Sequence, residues 1–363
     1  MRIAVLGGGN GSFAAAGDFA LGGHEVSLWR RDKGAVEAHR AAGGVIAVKD
    51  FAGAHTAKPA LITPDIAAAV RGAELILAPV PATAQADIAQ ALAPHLADGQ
   101  VVFLPPGTFG SLVFAQAARE GGNRAEVAFA ETGTLPWLAR KHGPHEVAIT
   151  VRAKRLPTGV FPLARKVHAL ALLRAAFPGV IEDCGDALSA ALMNAGPTIH
   201  PPLIIMNAGP LQHFERWDIH KEGTQPAIRR TTDALDAERI AVREALGYPA
   251  PHFPLADHYA REGEEWMYGR GSHDRLTGSG DWREHIALTS HRYMLEDTRM
   301  GLAFLVSVAE LAGVRTPLAR AFLAIGSAVC GEDFMRTGRT LASLGLGRLD
   351  RDGLAALLRT GFA

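Results

Sequence analysis

Two rhythms of apolar and polar residues divide the chain. Up to about residue 185, short uncharged apolar runs alternate with stretches of helical spacing, the pattern of a doubly wound parallel sheet and its crossover helices. Ile3-Ala4-Val5-Leu6 is the first such run and residues 24–29 form the second. Further strands are expected at 60–63, 74–79, 100–104, 126–131 and 146–151, with an edge strand at 180–183. Helices are predicted at 13–21, 83–96 and 163–177. From Gly185 onward the strand signal stops and helical patterns take over, most clearly at 233–246 and 292–312, with shorter ones at 200–207 and 317–330. The pattern predicts an α/β Rossmann-type doubly wound domain over residues 1–185, followed by an all-α domain over residues 186–363. Residues 262–282, rich in glycine, charge and aromatics, read as a loop. They are a candidate lid, although a flexible surface excursion is the plainer reading.

The first strand runs directly into Gly7-Gly8-Gly9-Asn10-Gly11-Ser12 and then a helix. A bare turn of this kind lets a pyrophosphate approach the backbone at a helix N-terminus, where unpaired N–H groups and the helix dipole favour negative charge. Gly7 and Gly9 take the first two positions of a G-x-G-x-x-G fingerprint. Ser12 takes the third, where a small residue preserves close helix–strand packing. A dinucleotide is therefore expected against Gly7, Gly9, Asn10, Gly11 and Ser12. After the second strand the chain offers Trp29-Arg30-Arg31 before Asp32. Arginine there suits a 2′-phosphate, so Arg30 and Arg31 favour NADP over NAD. Val80 and Pro81, in a proline-stiffened turn after the fourth strand, are candidates to line the same crevice, with a plain strand end as the equal alternative.

Composition narrows the partners. The chain has 363 residues, 37 basic and 37 acidic, so its formal net charge of zero argues against nucleic acid as the main partner. No run of some 18 apolar residues could span a membrane, and a core strand beginning at residue 3 leaves no room for a leader, so a cytoplasmic location is expected. Two distant cysteines give no disulfide framework. His258 and Glu262 could share a helix face, but two ligands make no site, and no metal is expected. Small-molecule chemistry fits this composition best; the oligomeric state is left open, with a homodimer as one candidate.

That chemistry should come from the helical half. Hydride transfer to a carbon bearing oxygen or nitrogen calls for a proton donor or acceptor beside it, and histidine titrates in the right range. His200 lies in Asn194-Ala195-Gly196-Pro197-Thr198-Ile199-His200-Pro201-Pro202, where glycine and proline interrupt an apolar stretch and can aim a polar side chain into a cavity; taken alone, a buried histidine with a backbone partner is the plainer reading. In the segment beginning Arg292-Tyr293, a spacing of four puts Tyr293, Asp297 and Gly301 on one helix face and Arg292 with Glu296 on the next. An aspartate bonded to a histidine nitrogen would fix its tautomer.

Together these residues resemble the octopine/nopaline-type opine dehydrogenases. The likeness spans nearly the whole chain: Gly7-x-Gly9-Asn10-Gly11, Pro79-Val80-Pro81-Ala82, Leu104-Pro105-Pro106-Gly107, Ala130-Glu131-Thr132, the run from Asn194 to His200-Pro201, and Arg292-Tyr293 with Glu296-Asp297. The resemblance implies a Rossmann domain, a helical second domain and a catalytic His–Asp pair at His200 and Asp297. It also implies the joining of an amino acid to a 2-keto acid as an imine that NAD(P)H reduces. Two substrate carboxylates call for cations: Arg292 and Arg140 are the main candidates and Arg299 a lesser one, with Tyr293 and Thr132 as further substrate residues. Two alternatives stand beside this reading. One is a carbonyl-reducing enzyme of the ketopantoate or glycerol-3-phosphate type, which uses a catalytic lysine, whereas Lys221 is the sole lysine after Lys166. The other is a dinucleotide sensor without turnover.

Overall fold

The computed structural model describes residues 1–362 and divides into two compact units. The first comprises Met1–Val80 and Ala84–Ala191 and takes up the chain again from Leu358; the second comprises Pro81–Thr83 and Leu192–Leu357.

The first unit is built on an eight-stranded sheet. Its strands are β1 (Arg2–Leu6), β2 (Glu25–Trp29), β5 (Leu61–Thr63), β6 (Leu75–Leu77), β7 (Val101–Leu104), β8 (Ala128–Thr132), β11 (Leu156–Phe161) and β12 (Ile181–Asp186), in the order β12-β11-β8-β7-β6-β1-β2-β5. All neighbours are parallel except β8 and β11, which pair antiparallel from Thr132↔Thr158 to Phe129↔Phe161. The central strands β6, β7 and β8 are buried throughout, because helices cover both faces, and Glu131 of β8 is the one charged residue they contain. Among those helices are α1 (Asn10–Leu21) and α2 (Lys33–Ala41).

The strand expected at 146–151 forms as β10 (Glu146–Arg152), but it belongs to a second sheet, ordered β4-β3-β10-β9. Its partners β3 (Ile46–Asp50), β4 (Gly53–Ala57) and β9 (Trp137–Gly143), like β11, were not anticipated from the pattern. Each carries lysine, arginine, histidine, proline or glycine, so it lacks the apolar run that marks β1 or β7. Helix α1 packs on this sheet at Gly17, where a Cβ would lie 2.6 Å from Val48 Cγ2. Asp18 fixes the contact, accepting from Trp137 Nε1 at 2.7 Å and from Arg152 Nη2 at 2.8 Å.

The second unit is mainly helical, with its apolar helix faces forming a separate core. The helix expected from residue 200 begins four residues earlier and runs unbroken over Gly196–Met206, since Pro197 fits the first turn where no N–H is needed. The expected 292–312 helix is two structures. Tyr293–Leu302 is a ten-residue π-helix, and an α-helix continues over Ala303–Ala312. The unit is not purely helical: Trp217–Asp218 and Arg283–Glu284 form a two-residue antiparallel ribbon. The 262–282 segment is not a free excursion, because Trp266, Tyr268 and Trp282 are all buried and Ser272–Ser279 is helical. Among the described residues no helix is long and apolar enough to cross a membrane.

Candidate active site

In the first unit the glycine turn takes the form a dinucleotide requires. Gly7 has φ +118°, a conformation that favours glycine, and its N–H donates to Trp29 O at 2.9 Å. A Cβ on Gly11 would press on Leu135 and Pro79 at 3.1 and 3.2 Å, and one on Gly7 on Ser12 Oγ and Val80 Cγ1 at 2.6 and 3.1 Å. At Gly9 a Cβ would meet nothing within 4 Å, so this edge is open to a ligand. Gly9 caps α1 without a side chain, and the first turn carries no acid, which leaves amide donors and a positive dipole end for phosphate. Ser12 closes the turn by donating to Leu6 O at 3.2 Å. Asn10 is turned the other way: its Oδ1 accepts the Lys141 N–H of β9 at 3.0 Å.

The two arginines after β2 part company. Arg30 stays beside the turn, its Nε 3.1 Å from where a Gly8 Cβ would stand. Arg31 points to Asp87 at 3.6 Å, both side chains more than 70% exposed. Asp32, the acid that could have met a ribose, instead caps α2 by accepting the Ala35 N–H at 3.0 Å. Lys141, not singled out by the sequence, reaches the turn, with Nζ 3.4 Å from Gly8 O. Arg140 is on the opposite face of β9 by the two-residue alternation of a strand. Thr132 is buried and donates to Pro157 O at 2.7 Å.

At the carboxyl end of β7, Thr108 and Phe109 are both left-handed, with φ 52° and 64°. Such strain persists only where the surroundings enforce it. Here the buried Glu131 does so, accepting from Gly110 N at 3.2 Å and Ser111 Oγ at 2.9 Å, while Gln85 Nε2 donates to Gly107 O at 3.0 Å.

In the second unit, His200 and Asp297, 97 residues apart, meet with Nδ1 to Oδ2 at 2.7 Å. The helix carrying His200 and the π-helix approach closely because glycines stand at the crossing: a Cβ on Gly196 would overlap Asp297 Oδ1, and one on Gly301 would overlap Pro197. Tyr293 stacks on the imidazole, centroids 3.8 Å apart and planes 21° from parallel. His220 contacts His200 edge-on at 5.8 Å and itself packs on Trp282. The Arg292 guanidinium lies 5.1 Å from the Tyr293 ring centre and 3.6 Å from Glu296 Oε2. Arg299 is engaged with Glu332 at 3.3 Å.

The π-helix changes the facing expected from a spacing of four. Hydrogen bonds closing at i→i+5 turn both Glu296 and Asp297 inward, while the Arg292 side chain stays half exposed. Burial pushes the Asp297 carboxyl up to about 7, with the Arg292 charge acting against it. Burial, then the neighbouring Asp297, also pushes Glu296 to about 7. Glu296 Oε1 accepts the Ala82 N–H at 2.9 Å, and Arg339 holds the Ala82 carbonyl at 3.2 Å, so the segment after Pro81 is clamped from both sides. No side-chain pattern in the sequence marks that clamp, because one partner is backbone.

Comparison with known proteins agrees with both halves. Residues 183–330 match the family described as NAD/NADP octopine/nopaline dehydrogenase, alpha-helical domain, and residues 2–105 match the NAD-dependent glycerol-3-phosphate dehydrogenase N-terminus. The chain is 32% identical to an opine dehydrogenase of an Arthrobacter species over 97% of each chain. It is 28% identical to vitopine synthase of Allorhizobium ampelinum, over 95% of this chain and 96% of that one. The fold is shared with octopine dehydrogenase solved with NADH and L-arginine, at TM-score 0.74 and 20% identity over 100% of this chain and 99% of that one. The chain therefore belongs to the opine dehydrogenase family of NAD(P)-dependent oxidoreductases.

Proposed function

We propose that the protein joins the amino group of an amino acid to the carbonyl of a 2-keto acid and reduces the resulting imine with NADPH, and that it also runs the reverse oxidation. The His200–Asp297 pair carries this reading. The overall change consumes an ammonium, a ketone, NADPH and one proton, and yields a secondary ammonium, water and NADP⁺. Gly7, Gly9, Gly11 and Ser12 would hold the dinucleotide, which would supply the hydride for imine reduction.

With Nδ1 hydrogen-bonded to Asp297, the His200 imidazole is oriented for proton exchange with the substrate. It takes a proton from the incoming ammonium, so that the free amine attacks the ketone. It returns that proton to the carbinolamine hydroxyl, so that water leaves. Asp297 fixes the tautomer and stabilises the imidazolium between these steps, while the Tyr293 stack holds the ring plane. Arg292, half exposed, is the first candidate for a substrate carboxylate, with the Tyr293 hydroxyl beside it. Arg140 and Thr132 are the remaining candidates.

NADP is favoured over NAD because Arg30 adjoins the glycine turn while Asp32, committed to capping α2, is withheld from a ribose. Oxidation of NADPH and NADH should be followed with 2-keto acids, each with and without a panel of amino acids. Amino-acid-dependent oxidation, faster with NADPH, is expected. Oxidation with keto acid alone would transfer the assignment to a carbonyl reductase, and none with any pair would leave a sensor. In His200→Ala, turnover should fall by about 10²- to 10⁴-fold with NADPH affinity intact. Unchanged turnover would remove His200 from the mechanism.

A further inference from the structure

We propose that Lys141, on the hairpin of the second sheet, is a specificity-determining residue that joins Arg30 in binding the 2′-phosphate of the dinucleotide. The proposal rests on the NADP reading above and adds a residue that the fingerprint of β1, α1 and β2 does not contain.

Lys141 and Arg30 converge on one ring. Lys141 Nζ lies 3.8 Å from the Phe13 ring centre and the Arg30 guanidinium 5.3 Å from it. Both also flank Gly8: Lys141 Nζ is 3.4 Å from its carbonyl, and Arg30 Nε is 3.1 Å from where a Gly8 Cβ would stand. Neither arrives by accident of a flexible side chain. Arg30 Nη1 donates to Ala35 O at 3.1 Å, and the Lys141 backbone is tied to Asn10.

The electrostatics leave the pair short of negative charge. Burial lowers the Lys141 ammonium, and the charge that adds to this effect is another cation, Arg30. Behind Phe13 are His39, its ring stacked on Phe13 at 5.7 Å, and His145, stacked on His39 at 4.2 Å. Burial lowers both, Arg30 and Lys141 lower them further, and they stay neutral near pH 7. Asp32, the acid that acts on Arg30, spends its Oδ1 on the cap of α2. Among the described residues no carboxylate acts on both cations; such a pair is stabilised by a dianion placed between them, and a ribose 2′-phosphate is the dianion that distinguishes NADP from NAD.

Calorimetric titration with adenosine 2′,5′-bisphosphate and with 5′-AMP, which differ only by the 2′-phosphate, tests the proposal on the whole chain. Wild type should prefer the bisphosphate. Lys141→Met, which keeps the aliphatic contact with Phe13, should lose about 10- to 100-fold of that preference while 5′-AMP binding changes less than about twofold, and Lys141→Arg should keep most of it. If wild type binds the two nucleotides equally, the NADP reading itself fails. If wild type discriminates, Arg30→Met abolishes the discrimination and Lys141→Met retains it in full, the NADP reading stands and the role of Lys141 is overturned.

Discussion

In the proposed reaction His200 is oriented by a short bond, from Nδ1 to the buried Asp297 carboxylate at 2.7 Å. The neighbouring Glu296 is the more revealing titrating group. Its folded value of about 7 lies above the ordinary glutamate value, so the folded state holds a proton that the unfolded state has released between about pH 4.5 and 7. Its stabilising contribution is therefore full below about pH 4.5 and is lost as pH rises through 7. Glu296→Gln mimics the protonated form at every pH. Denaturant titrations should show this variant gaining on wild type by roughly 1–3 kcal/mol between pH 4.5 and 8. A difference that does not change with pH would show that the carboxyl ionises normally.

At the scale of elements, the crossing of the His200 helix with the π-helix sets the geometry of the pair. Gly196→Ala drives a methyl group into Asp297 Oδ1 and should lower kcat on the order of 10²-fold without altering NADPH affinity. Gly301→Ala meets Pro197 instead and should destabilise the protein by about 1–3 kcal/mol in thermal or denaturant unfolding. Equal kcat in wild type and Gly196→Ala would show that the crossing tolerates the displacement. Elements with strong, uniform patterns are legible in the sequence: β1 and β7 carry uncharged, fully buried runs, Ile3–Leu6 and Val101–Leu104, and β1 leads straight into the glycine turn. His200 and Asp297 are legible through family resemblance. The second sheet is not, since Trp137–Gly143 follows three apolar residues with Arg140, Lys141 and His142 and shows neither a long apolar run nor a strand alternation. Lys141 was missed for the same reason, and the inward turn of Glu296 because a helical wheel assumes 3.6 residues per turn.

At the scale of the molecule, the proposed reading puts cofactor binding and proton transfer in separate units, so they should be separable by experiment. NADPH at about 100 times its Kd should add about 2.7 kcal/mol to the unit that binds it. Trp29 and Trp137 belong to the first unit, and Trp217, Trp266 and Trp282 to the second. The NADPH-induced rise in melting temperature, followed by calorimetry, should be the same in wild type and His200→Ala. A smaller rise in the variant would tie His200 to the dinucleotide rather than to the substrates.

Neither unit is a continuous stretch of chain: Pro81–Thr83 is lent to the second, and the residues from Leu358 return to the first, where Phe362 packs on Phe161 at 5.4 Å. A gene cut between Ala191 and Leu192 would thus produce two fragments that each lack a piece of themselves. On the ribosome the first unit begins to form early but closes only when nearly all of the second has been synthesised. The two halves of the enzyme are inherited, expressed and completed as one object.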